Sequence, residues 1–162
     1  MKKIIILILL VLALGIVWFG FLKDEKVTIT PTPLPTETEE KITYIKASTD
    51  LIVVDLPYPG AVTGKEFSVI GRARGYWFFE ASFPLQLLGA DGKVLANGYA
   101  EAQPDPVTGE VNWMTENFVP FKGEIKAPES YIGPATLILR KDNASGLPEH
   151  DASISFPITV EY

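Results

Sequence analysis

The one histidine of this 162-residue chain, His150, stands in "SGLPEHDAS" between Ser145 and Ser153. A serine becomes a nucleophile when a neighbouring base takes its proton, and no other imidazole is present to do so. The G-x-S-x-G elbow that would lift such a serine above a sheet is missing, and the Gly, Pro and charged residues around His150 read as a solvated polar loop. The absence of cysteine excludes thiolate nucleophiles, disulfides and a lipid on an N-terminal cysteine, and it argues against structural zinc. Asp142, Asn143, Glu149 and Asp151 offer oxygen ligands in the same stretch, as a hard cation prefers, and are the calcium candidates. Their spacing is not that of an EF-hand. Carboxylate pairs for glycoside hydrolysis can be drawn among the many acids, but none is singled out. The chain therefore reads as no enzyme, with no cofactor.

Aromatic residues are the second source of function. In "GYWFFEASFP" (75–84), alternate positions place Trp77, Phe79, Ala81, Phe83, Leu85 and Leu87 in one wholly apolar register, expected to line a core as a strand. Tyr76 and Phe78 fall in the opposite register, where the alternatives are covering a sheet edge, lying under a loop or forming a small exposed aromatic patch. Trp113 lies in the irregular stretch "QPDPVTGEVNWMTEN" (103–117). Tyr76, Phe78 and Trp113 are the candidate binding residues. The net charge of -6 argues against nucleic acid as a partner.

What must position these residues is a set of short strands. "LIVVDL" (51–56), "EFSVIGRARG" (66–75), the aromatic stretch, "VLANGYAEA" (94–102), "FVPFKGEI" (118–125), "ATLILRK" (135–141) and "SISFPITVEY" (153–162) are divided by turn signals such as Asp91-Gly92. The last is the clearest, with Ile154, Phe156, Ile158 and Val160 in one register. No amphipathic helical period interrupts them. The expectation is an all-β, immunoglobulin-like sandwich of about seven strands over residues 50–162, held by packing alone.

Ahead of it, "IIILILLVLALGIVWFGFL" (4–22) is uncharged and follows Lys2 and Lys3. As a helix it spans roughly 28 Å, about a bilayer's hydrocarbon core. A cleaved signal peptide is the competing reading, but no small-x-small site follows the run, so residues 1–26 are expected to be an uncleaved transmembrane anchor. The unopposed Lys2 and Lys3 are expected to keep the N-terminus inside and place the rest beyond the cytoplasmic membrane. Residues 27–49, rich in Thr, Pro and Glu, read as a disordered linker.

"PYPG" (57–60), Val69-x-Gly71-x-Ala73, "WFFEASFP" (77–84), the "DGK" hairpin (91–93), Trp113 before "FVPF" (118–121) and the closing "NASGLPEHDASISFPITV" (143–160) occur in an order that resembles the Gmad2 family. That family is described as an immunoglobulin-like domain of bacterial spore germination. The resemblance implies a bacterial, extracytoplasmic, non-catalytic sandwich and supplies no catalytic residues. The expected function is a membrane-tethered envelope module that binds a protein or glycan. A structural subunit acting as a homo-oligomer, in sporulation or germination, is the alternative, and a hydrolase of envelope polymers ranks last.

Overall fold

Alternating apolar and polar residues turn into alternating burial along the strands of the computed structural model, which describes residues 41–162. In Ser82–Gly89, every second side chain from Phe83 to Leu87 is buried and the residues between are half-exposed. In Ser153–Val160, Ile154, Phe156, Ile158 and Val160 face inward. The anchor expected over 4–22 and the linker up to residue 40 lie outside the described residues. Among the described residues no helix is long and apolar enough to cross a membrane.

Among the described residues nine strands form: β1 (Thr43–Ile45), β2 (Ile52–Leu56), β3 (Val62–Thr63), β4 (Glu66–Arg74), β5 (Ser82–Gly89), β6 (Val94–Ala102), β7 (Phe118–Lys126), β8 (Gly133–Arg140) and β9 (Ser153–Val160). They join one curled sheet in the order β1-β9-β8-β5-β6-β7-β4-β2, antiparallel except that β3 runs parallel to the end of β9. The expected seven strands become nine because β1 and β3 are too short to carry a period. β1 pairs Thr43 with Ser155 and Ile45 with Ser153. Residues 43–45, which composition assigned to the linker, therefore belong to the sheet.

The two expected layers are one sheet folded over. β2 lies at one end of the strand order and β3 beside the other, so residues 56–62 cross between the ends and close the curl. β6 lies inside the sheet between β5 and β7. A Cβ on Gly123 would lie 2.6 Å from Leu85 Cδ1 and 2.7 Å from the Tyr99 carbonyl, so only glycine lets β7 approach β5 and β6 this closely. Inside the curl, Phe83 meets Phe121, Phe78 and Trp77 edge to face at centroid distances of 4.9, 5.2 and 6.4 Å. Each of these large apolar side chains contributes about 1.5–3 kcal/mol by leaving water.

The aromatic stretch departs from a strand. Gly75–Trp77 form a 3-10 turn, and Glu80 and Ala81 adopt positive φ of 48° and 62°, so β5 starts at Ser82. Side chains in a 3-10 turn repeat every three residues rather than every two, and two left-handed residues then reverse the chain. Trp77 and Phe83 are buried as alternation predicts. Phe79, expected in the core, is 44% exposed, and Phe78, from the opposite register, is 4% exposed.

Candidate functional site

The strand directions gather residues 46–51, 75–81, 103–117 and 141–152 at one end of the fold. At that end Gly75 fixes the path of the longest loop. A Cβ there would sit 2.0 Å from the Thr115 carbonyl oxygen and 2.2 Å from that of Trp113. With no side chain in the way, the backbone of 113–115 lies directly on the 3-10 turn, and Gly75 N donates to Asn117 O at 3.2 Å. Arg74 secures the flank. Its guanidinium donates to Asp50 O at 2.9 Å and to Glu116 O at 3.1 Å, and it stacks 4.2 Å above the Phe118 ring.

Farther along the loop, Asp105 accepts from Val107 N at 2.8 Å and Thr108 N at 2.9 Å. Those backbone donors, Thr108 first and then Val107, hold its carboxyl below the usual carboxylate range.

Pinning the loop brings together the three aromatic candidates. Tyr76, Phe78 and Trp113 line a shallow depression of about 460 Å³ with Gly75, Met114, Thr115 and Glu116. Their parts differ from one another. Tyr76 is 49% exposed, Trp113 is half-buried, and Phe78 is a buried floor that belongs to the core. Met114, at 79% exposure, was missed in the sequence. Its only sign there was its place beside Trp113, and a loop methionine carries no periodicity.

The polar loop 141–152 bonds to itself. Ser145 Oγ lies 2.9 Å from His150 Nδ1 and 2.5 Å from Asn143 Oδ1, while Leu147 N donates to the same hydroxyl at 3.3 Å. The serine thus meets the histidine, yet its hydroxyl is held in the turn by two further partners, and His150 Nε2 has no orienting group among the described residues. Asn143 uses its amide nitrogen to donate to Asp151 Oδ1 at 2.7 Å and Leu147 O at 2.8 Å. It therefore turns a donor, not an oxygen ligand, toward Asp151, another of the calcium candidates. Asp142 is tied by its backbone N to Trp77 O, and the Glu149 side chain is exposed. Among the described residues no three His, Cys, Asp or Glu side chains group as a metal site requires.

The family model for the immunoglobulin-like domain of bacterial spore germination, Gmad2, matches residues 51–146, more than half of the chain. The chain belongs to the Gmad2 family. The match covers β2 to β8 with Gly75, Tyr76, Phe78 and Trp113, and stops short of β9. Gmad2 is an immunoglobulin-like domain family and not a known enzyme family. No curated protein and no solved structure matches the chain.

Proposed function

We propose that this Gmad2 chain is a non-catalytic, membrane-tethered module of the bacterial envelope that holds a protein partner at the Tyr76–Trp113–Met114 end. The observation that carries the reading is the depression built where loop 113–115 lies on Gly75. Tyrosine, tryptophan and methionine are enriched at protein interfaces, and an apolar floor ringed by such side chains suits a protruding apolar side chain of a partner. The uncharged stretch 4–22 supports tethering, and Lys2 and Lys3 support an extracytoplasmic domain. Nothing in the loops orients a nucleophile or a cation, in keeping with binding rather than catalysis.

Capture from envelope extracts on the full-length chain tests this reading. A discrete partner held by the wild type should be lost with Trp113→Ala and weakened with Tyr76→Ser; an unchanged partner set in both variants removes this end from the account. Protease shaving of intact cells should cleave residues 50–162, whereas protection of that region would place it on the cytoplasmic side.

A second reading, self-association, is favoured by β2. Among the described residues it ends the strand order with β4 as its one neighbour, so its outer edge offers unpaired backbone groups to another copy. Crosslinking in membranes should then give one discrete oligomer, and a monomer at all concentrations excludes it.

A further inference from the structure

The outward face of β6 carries a second arrangement, remote from the loops. Tyr99 is 63% exposed in the middle of a regular strand. β6 pairs with β5 through most of its length but with β7 only over Ala100–Ala102. Tyr99 is therefore the first residue past the point where β6 and β7 part. The parting opens a depression of about 470 Å³ lined by Tyr99, Glu101, Gln103, Lys122, Gly123 and Glu124.

Hydrogen bonding around the ring has a fixed direction. Arg140 Nη2 donates to Gln86 Oε1 at 3.3 Å, and Gln86 Nε2 donates to Asn97 Oδ1 at 3.1 Å. Arginine is only a donor, so it forces the Gln86 oxygen toward itself, and Gln86 in turn occupies the Asn97 oxygen. Asn97 is left with its amide hydrogens as donors beside Tyr99. On the other side of the ring, two residues along the same strand face, Glu101 offers two acceptors. Lys122 is engaged with Glu124 at 3.3 Å. An exposed aromatic face is thus bordered by an oriented donor and a carboxylate acceptor, with one acid more than the local cation neutralises.

We propose that this face binds a neutral polysaccharide, one sugar ring lying on Tyr99. The C–H face of a pyranose is apolar and covers the aromatic ring, while its hydroxyls, each both donor and acceptor, radiate toward Asn97 and Glu101. A strand-forming peptide would pair along the edge of β6 that β7 leaves open before Ala100, whereas Asn97, Tyr99 and Glu101 stand on the sheet face. An acidic glycan is disfavoured by Glu101, which makes no ion pair among the described residues while Lys122 is taken by Glu124.

Saturation-transfer NMR and titration on the full-length chain, in a detergent without a sugar headgroup, test the proposal with cellohexaose, chitohexaose and hexagalacturonate. At least one neutral hexasaccharide should bind, and Tyr99→Ala should weaken it by at least about tenfold, the equivalent of losing roughly 1.4 kcal/mol. Glu101→Gln and Asn97→Ala should each weaken it several-fold, Tyr99→Phe should retain it, and Trp113→Ala should leave it unchanged. Unfolding midpoints of the Tyr99 variants should match the wild type, because the side chain is exposed. The proposal is overturned if neither neutral hexasaccharide binds, if Tyr99→Ala binds as well as the wild type, or if hexagalacturonate binds best.

Discussion

The two ends of the curled sheet are both made of loops, but they use their side chains in opposite ways. At the end holding residues 90–93 and 127–132, one tyrosine binds the turns together: Tyr131 OH accepts from Ala90 N at 3.1 Å and donates to Pro134 O, while Lys65 Nζ donates to the Tyr131 carbonyl. Ala127 N donates to Lys65 O at 2.7 Å, and Gly89 N to Lys93 O at 2.8 Å. These backbone groups are satisfied within the fold, although Ile132 in the same turn is 71% exposed. At the other end the backbone is pinned on Gly75, but Tyr76, Met114 and part of Trp113 remain facing water. Apolar surface kept exposed by a secured backbone suggests recognition, whereas polar surface satisfied within the fold contributes stability.

Substitutions can break that contrast, and the largest effect lies under the exposed end. Trp77 is fully buried and its indole N–H has no partner among the described residues. Trp77→Ala should cost about 3–5 kcal/mol in urea unfolding, while Trp77→Phe should cost clearly less because it also removes the unsatisfied donor. Gly75→Ala comes next. Its Cβ would collide with the backbone of residues 113–115, so the loop must lift; about 2 kcal/mol of stability and the capture of any partner should be lost together.

At the closed end, Tyr131→Phe should cost about 1–2 kcal/mol, since it deletes a hydroxyl with two backbone partners, yet leave partner capture intact. The smallest effect is electrostatic. Asp105 has its folded pKa lowered by Thr108 and Val107 N–H groups. Its contribution is present above the unfolded carboxylate value of about 3.9 and disappears as pH falls through the lower folded value. Asp105→Asn should therefore flatten the stability profile only on the acid side of about pH 4, as followed by unfolding midpoints. An identical acid limb in both proteins would contradict the backbone bonds to Asp105.

The sequence disclosed the strands with an unbroken period and hid those without one. β9, and β5 as far as Leu87, were readable because their inward positions from Ile154 and Phe83 on are large and apolar and the outward ones small or polar. β1, with Thr43 and Ile45 outward and Tyr44 alone half-buried, has too few positions to show alternation. The "GYWFFEASFP" stretch misled because its parity pattern is fortuitous: a 3-10 turn and two left-handed residues separate Trp77 from Phe83. Glu80 and Ala81 give no sequence signal for positive φ, as Asn-Gly would. For the site, aromatic type and exposure counting sufficed to select Tyr76 and Trp113. The contact that joins them depends on the missing side chain of Gly75, which only coordinates reveal.

The central claim is that the Gly75-pinned end, and not the Tyr131-tied end, is the recognition surface. It is tested most directly by quantifying one captured envelope partner on full-length wild type, Trp113→Ala and Tyr131→Phe side by side. The account predicts capture lost by Trp113→Ala and retained by Tyr131→Phe. Equal capture by all three, or loss confined to Tyr131→Phe, would contradict it.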